Sequence, residues 1–274
     1  MRPAALRQKS LIIPREHGAW GILLVPLVTG AAVGLAAGGS SSSLAPLTVA
    51  VLTLFWLRTP VESWMGTTPI RPRRPAEIQL VRKAVLGLTA ISTLALIWLF
   101  WAGRNSVLLW IGAAAGAAVL LQAVVRPSAR TAAQMIGAAG LTAATAPAAF
   151  CAATGAWGKA ALTLWGLNLL FAINQIHFVQ LQIRAAHVKT RNEKLAAGGG
   201  FLAGQAALIG LLGAACAASL IPWYTTLAFI PILMRGFVSF ATAPRPLAVH
   251  RLGKTELAYA CLFGVLLVAA MARW

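Results

Sequence analysis

The chain has 274 residues, of which 59% are hydrophobic and only 10% charged. A soluble domain carries about 25% charged residues, so an ordinary globule, a disordered chain and a disulfide-stapled secreted domain are excluded, and a multi-span membrane protein remains. Lys and Arg total 23 against five Glu and no Asp, a formal net charge of +18.

Nine apolar runs approach the roughly 20 residues that cross a bilayer as a helix. In chain order they cover 19–37, 44–59, 84–102, 106–125, 131–153, 161–182, 199–220, 225–242 and 255–272. The second is short, and either starts earlier, among Ser40 to Ser43, or spans by tilting. Helices are expected because lipid cannot satisfy backbone polar groups, and the period-two alternation of a barrel is missing. No short apolar stretch with a cleavage site opens the sequence, so no cleaved leader is expected. The expectation is one all-α integral membrane domain over 1–274, with an N-terminal arm at 1–18 and long basic loops at 60–83 and 183–198.

The cations orient these runs. With the N-terminus inside, the arm and the loops after spans two, four, six and eight hold 19 of the 23. The other side holds Arg104, Lys159 and Arg273, and Arg235 lies within the eighth span. This asymmetry predicts a cytoplasmic N-terminus in an inner (plasma) membrane, with anionic membrane lipid as a partner. Nucleic acid is not an expected partner, because the cations are dispersed between hydrophobic spans.

Small residues recur four apart at Gly30/Gly34/Gly38, Gly112/Gly116 and Gly200/Gly204, a spacing that predicts close helix packing within the bundle. Trp20, Trp56, Trp64, Trp101, Trp157, Trp223 and Trp274 fall near span ends, as interfacial tryptophans do. Cys151, Cys216 and Cys261 each sit in an apolar run without metal or disulfide spacing, and read as small buried hydrophobes. Spans one to four and five to eight form two groups, each with a long polar loop after its second member, and the ninth stands over; matching polar segments of this kind point to a site.

Four polar groups need an explanation. At the first span, Pro14-Arg15-Glu16-His17-Gly18-Ala19-Trp20-Gly21 puts three ionisable residues before an uncharged run; Glu16 can cap the helix, and His17 can titrate or bind a metal or porphyrin. At the second, Arg58 and Glu62 are four apart, but Pro60 between them is expected to break the helix. In the sixth, Asn174, His177, Leu181 and Arg184 follow a 3-4-3 helical stripe bordered by Gln180, which predicts either a wet functional cavity or hydrogen bonding between helices. In the eighth, Arg235 lies nine residues from Pro244, about 13 Å deep. Facing inward it needs an anion: Glu16, Glu62, Glu256 near Lys254, or a ligand.

The stretch Pro14-Arg15-Glu16-His17-Gly18-Ala19-Trp20-Gly21, followed by Pro26, resembles the N-terminal signature of the YwiC-like family of bacterial membrane proteins. The wider plan of nine spans, an inside N-terminus and long inner loops after spans two and six resembles the UbiA superfamily of intramembrane prenyltransferases. The stretch from His177 to Arg184 is similar to one in haem O synthases. UbiA-type enzymes hold a polyprenyl diphosphate through Mg²⁺ on aspartate-rich motifs. Here Arg58, Glu62 and Gly66 occupy the first motif's place, and Asn174, Gln175, Phe178 and Gln180 the second's, so a Mg²⁺ site is not expected.

The resemblance therefore implies a UbiA-like scaffold that binds a lipid, quinone, isoprenoid or porphyrin (haem) ligand in a cytoplasm-facing cavity. The alternatives are a metal-independent prenyltransferase, in which arginines hold the diphosphate, and a small-anion transporter. The candidate catalytic residues are Glu16, His17, Glu62 and His177; the candidate ligand-binding residues are Arg15, Arg58, Asn174, Gln180, Arg184, Arg235, Lys254 and Glu256.

Overall fold

The computed structural model describes residues 3–14, 17–66, 71–124, 130–186, 188, 190–242 and 248–273; at 3–6, 17–19, 122–124, 130–132, 191, 194 and 197 it describes the backbone alone. The elements are α1 (Pro3–Ile12), α2 (His17–Ala36), α3 (Leu44–Met65), α4 (Pro75–Trp101), α5 (Asn105–Val124), α6 (Arg130–Ala143), α7 (Ala146–Thr154), α8 (Lys159–Ala185), α9 (Arg191–Ala197), α10 (Gly199–Ala217), a 3₁₀ segment (Trp223–Phe229), α11 (Ile230–Ala241) and α12 (Val249–Met271). No strand occurs among the described residues. Among the described residues, seven helical segments are long and apolar enough to cross a membrane: Leu44–Met65, Pro75–Trp101, Ala133–Thr154, Lys159–Ala185, Gly199–Ala217, Trp223–Ala241 and Val249–Met271. Trp20–Ala36 and Asn105–Leu121 are shorter apolar helices. The architecture is a multi-span helical bundle.

Helix α3 does not break at Pro60 as expected; it runs on to Met65, and Gly66 ends it at φ +71°, donating to the carbonyls of Glu62 and Ser63. The proline is buried within the helix. Beyond it, Ser63 donates to the Leu11 carbonyl at 3.0 Å, and Trp56 before it donates to that of Ile12 at 2.6 Å. Packing by α1 thus anchors both sides of the proline. Helix α4 begins at Pro75, earlier than expected, because Pro75 suits a first helical turn and the Glu77 carboxylate accepts the backbone N–H groups of Arg73 and Arg74 at 2.8 and 3.4 Å. Of the loop expected at 60–83, residues 60–65 belong to α3 and 75–83 to α4.

The N-terminal arm contains a helix docked on this junction. Leu11 of α1 is fully buried against Val81 and Val85 of α4. Arg7 pairs with Glu77 at 2.9 Å and donates to the Arg71 carbonyl at 3.0 Å. Glu77, which the sequence reading did not single out, thereby ties α1, the connection and α4 together. Glu77→Gln removes the ionic tie and will speed tryptic cleavage at Arg7 and Lys9 in detergent-solubilised protein; an unchanged rate would mean that Leu11, Ser63 and Trp56 hold α1 without it.

The expected fifth span bends at residues 144–145 into α6 and α7. Every residue of α7 from Ala146 to Ala153 is buried. It packs against α2, α5 and α8, while α12 packs against α2 and brings the end of the chain beside its beginning. Alanine allows this, since small side chains let backbones approach on several sides at once. Gly30 and Gly34 of α2 lie directly against α7, and Gly38 turns the chain at φ +83°. Gly204 meets His177, whereas Gly112, Gly116 and Gly200 have nothing within 4 Å.

One end of the bundle is knitted by loop contacts: Ser40 N–H donates to the Ala153 carbonyl at 2.9 Å, Arg104 to Ser43 Oγ at 3.1 Å, and Lys159 to the Ser219 carbonyl at 3.0 Å. This end holds two of the three cations expected outside. Trp56, Trp64, Trp101, Trp157 and Trp223 are exposed, while Trp20 packs edge-on against Phe55; Trp274 lies outside the described residues. Cys151 is buried and Cys216 partly so, but Cys261 is exposed, which corrects its reading as a buried hydrophobe: its side of α12 faces outward.

Candidate functional site

Helix α8 carries two polar faces. Residues 168, 171, 175, 178 and 182 alternate three and four apart and line one face. Phe171 stacks on Phe263 of α12 at 4.1 Å, Gln175 donates to the Glu256 carbonyl at 3.2 Å, and Gln182 donates to Ser239 of α11. At the level of Phe178 sits Arg235, its guanidinium 3.9 Å from the Phe178 ring centroid and 4.5 Å from that of Tyr259. Arg235 Nη1 donates to Glu256 Oε1, and the pair is buried, the two side chains only 7% and 14% exposed. Of the partners the sequence left open for Arg235, the fold uses Glu256.

The second face holds Asn174, His177 and Leu181 and looks toward α10. A Cβ on Gly204 would lie 3.1 Å from His177 Nδ1. The next residue, Gln205, is 1% exposed. A Cβ on Gly236, beside Arg235, would lie 3.5 Å from the Gln205 amide. The glycines thus let α8, α10 and α11 close around one level, with Phe201 packed between Phe178 and Phe240. Arg235 is six residues from the end of α11 and Glu256 seven from the start of α12. At about 1.5 Å per residue, the pair lies about 9–11 Å inside one end of the bundle.

Among the described residues, several buried polar atoms here have no hydrogen-bond partner: Asn174 Oδ1, His177 Nε2, both ends of the Gln205 amide, Arg235 Nε and Nη2, and Glu256 Oε2. Each would cost about 1–3 kcal/mol if it stayed unsatisfied in a dry interior. Seven of the ten such atoms among the described residues belong to these five side chains, so they form one buried polar cluster (the chamber) on α8, α10, α11 and α12 rather than scattered packing faults. No group of three His, Cys, Asp or Glu side chains suited to a metal comes together among the described residues.

The other expected site residues are placed as follows. Arg15 and Glu16 lie outside the described residues; His17 opens α2, with only its backbone described. Arg58 and Glu62 pair at 2.7 Å near the C-terminal end of α3, an element packed against α1, α4 and α7. Gln180 turns from the chamber and donates to Gln134 of α6 at 2.7 Å. Arg184 and Lys254 are exposed at the ends of their helices, at the rim. The structure thus joins Arg235 to Glu256, sets His177 against Gly204 of α10, buries Asn174 on α8, and seats Arg58 with Glu62 on another element. Sequence reasoning missed Gln175, Gln182, Gln205, Phe178 and Tyr259 as site residues. The heptad spacing of Asn168, Gln175 and Gln182 is a signal that could have found part of this set.

Among known protein families, residues 13–152 match the model described as YwiC-like protein. No curated protein and no solved structure matches the chain. The chamber residues, from Asn174 to Tyr259, lie beyond the matched stretch.

Proposed function

The chain belongs to the YwiC-like family, and on that premise we propose that this multi-pass membrane protein binds the polar head of a lipid-soluble ligand, a lipid, quinone or porphyrin, between α8, α10, α11 and α12. The observation that carries this reading is the set of unpartnered polar atoms of Asn174, His177, Gln205, Arg235 and Glu256 at one level within the spans. Polar groups kept inside a bilayer at such cost usually serve a ligand or a path. Phe178, Phe201 and Tyr259 give the same level an apolar, aromatic wall.

The scaffold proposed is a UbiA-like one, supported by nine apolar segments in the same chain order and a polar inner end on the sixth. The location proposed is the plasma membrane with a cytoplasmic N-terminus, supported by the 19 cations assigned to one side. The chamber then lies toward the cytoplasmic end of the bundle. A diphosphate-transfer or anion-transport reading has less support, because Glu256 already neutralises Arg235.

Mass spectrometry of small molecules retained after extraction in a mild neutral detergent tests the reading. The expected result is a lipid-soluble compound in stoichiometric amount, lost from Arg235→Met protein. A porphyrin will add a Soret band; a quinone will not. Ligand-free protein, or equal retention by Arg235→Met, sinks the proposal.

A further inference from the structure

We infer that the chamber selects a head group that is uncharged and both donates and accepts hydrogen bonds, of the carboxamide type, on a hydrophobic tail. This rests on the binding reading above and narrows it to a chemical class.

Among the described residues, the charges of the buried pair in the chamber cancel. Arg235 contributes one positive charge and Glu256 one negative, in direct contact. An anion entering would be drawn by the guanidinium but would face the carboxylate beside it; a cation would meet the reverse. In a low-dielectric interior either ion would also lose its own hydration, a cost a neutral head escapes. The hydrogen-bonding groups left open are mixed. Gln205, 1% exposed, has both its oxygen and its nitrogen unpartnered. Asn174 Oδ1 and Glu256 Oε2 can only accept, and Arg235 Nε and Nη2 can only donate. A head with acceptors alone leaves the Asn174 and Glu256 oxygens unmet, and one with donors alone leaves Arg235 unmet. A carboxamide answers both, and it can pair reciprocally with the Gln205 amide.

The test compares three heads on one oleyl tail: oleamide, oleyl sulfate and oleyltrimethylammonium, the last two carrying permanent charges of opposite sign. Binding to the purified full chain is read by native mass spectrometry from neutral-detergent micelles. Oleamide should bind about tenfold more tightly than either ion, and Gln205→Leu should erase most of that preference, while Arg82→Ala, on the exposed side of α4, leaves it intact. If Gln205→Leu does not fold, the wild-type ranking alone decides. Either ion binding as tightly as oleamide, or a charged head on the naturally retained compound, overturns the neutral-head inference while leaving the binding site in place. A preference untouched in folded Gln205→Leu protein overturns the assignment to this chamber. If none of the three binds and no compound is retained, both the inference and the binding reading fall.

Discussion

Arg235→Met, with Glu256 left in place, will lower the unfolding free energy by about 3–5 kcal/mol, because it strands a buried carboxylate without its counter-ion. Glu256→Met alone will act similarly from the other side, leaving a guanidinium between Phe178 and Tyr259 with no anion. The two side chains are nearly closed to solvent, so neither orphaned charge can rehydrate without opening the bundle. The double substitution restores an apolar, roughly volume-matched contact and will recover most of the loss, since exchanging a whole buried pair for hydrophobic residues is often close to neutral. A double-mutant cycle by denaturant unfolding in micelles measures the coupling directly. Additive losses, or single losses below about 1 kcal/mol, would mean that the pair is hydrated and contributes little. The same cycle separates stability from function: the double variant should fold yet lose the retained ligand.

The second large effect is expected at the seam between α2 and α7. A Cβ on Gly30 would lie 2.0 Å from the Ala146 carbonyl oxygen, 2.7 Å from its carbon and 2.8 Å from its Cα. These are backbone atoms, so no rotamer change can yield, and α7 is enclosed by α2, α5 and α8. Gly30→Ala must therefore push the helices apart and will cost about 3 kcal/mol, in the upper part of the range for over-packing. Gly112→Ala is the matched control: nothing lies within 4 Å of that position, and better helix propensity makes the change neutral or stabilising by up to about 1 kcal/mol. Monodisperse yield and unfolding midpoint in micelles compare the two. Equal behaviour would show that α2 and α7 do not meet at Gly30.

The paucity of charge and the long apolar runs determined the class of this protein, because crossing lipid demands helices of a set length with few charges inside them. The spacing of Gly30 and Gly34 announced close packing, and the signature at Pro14 to Gly21 announced the family. These are local properties, carried by neighbouring residues. Which glycine meets which helix was not local: Gly30, Gly112 and Gly200 read alike in sequence, and only the fold set the first against Ala146 and left the others open.

Pairing was likewise a matter for the tertiary structure. Arg235 had several acidic residues as candidate partners, and the choice of Glu256, 21 positions along, came from the way α11 and α12 pack beside α8. Pro60 failed to stop α3 because α1, distant in sequence, bonds to Ser63 and Trp56 on either side of it. The polar stripe of α8 was visible as composition, but helical periodicity alone offers several faces. Only the positions of α10, α11 and α12 decided that Gln175 and Phe178 face the ion pair while Gln180 turns to α6. Sequence sets what each segment must bury; the neighbours that bury it are fixed by long-range packing, which no single stretch of chain encodes.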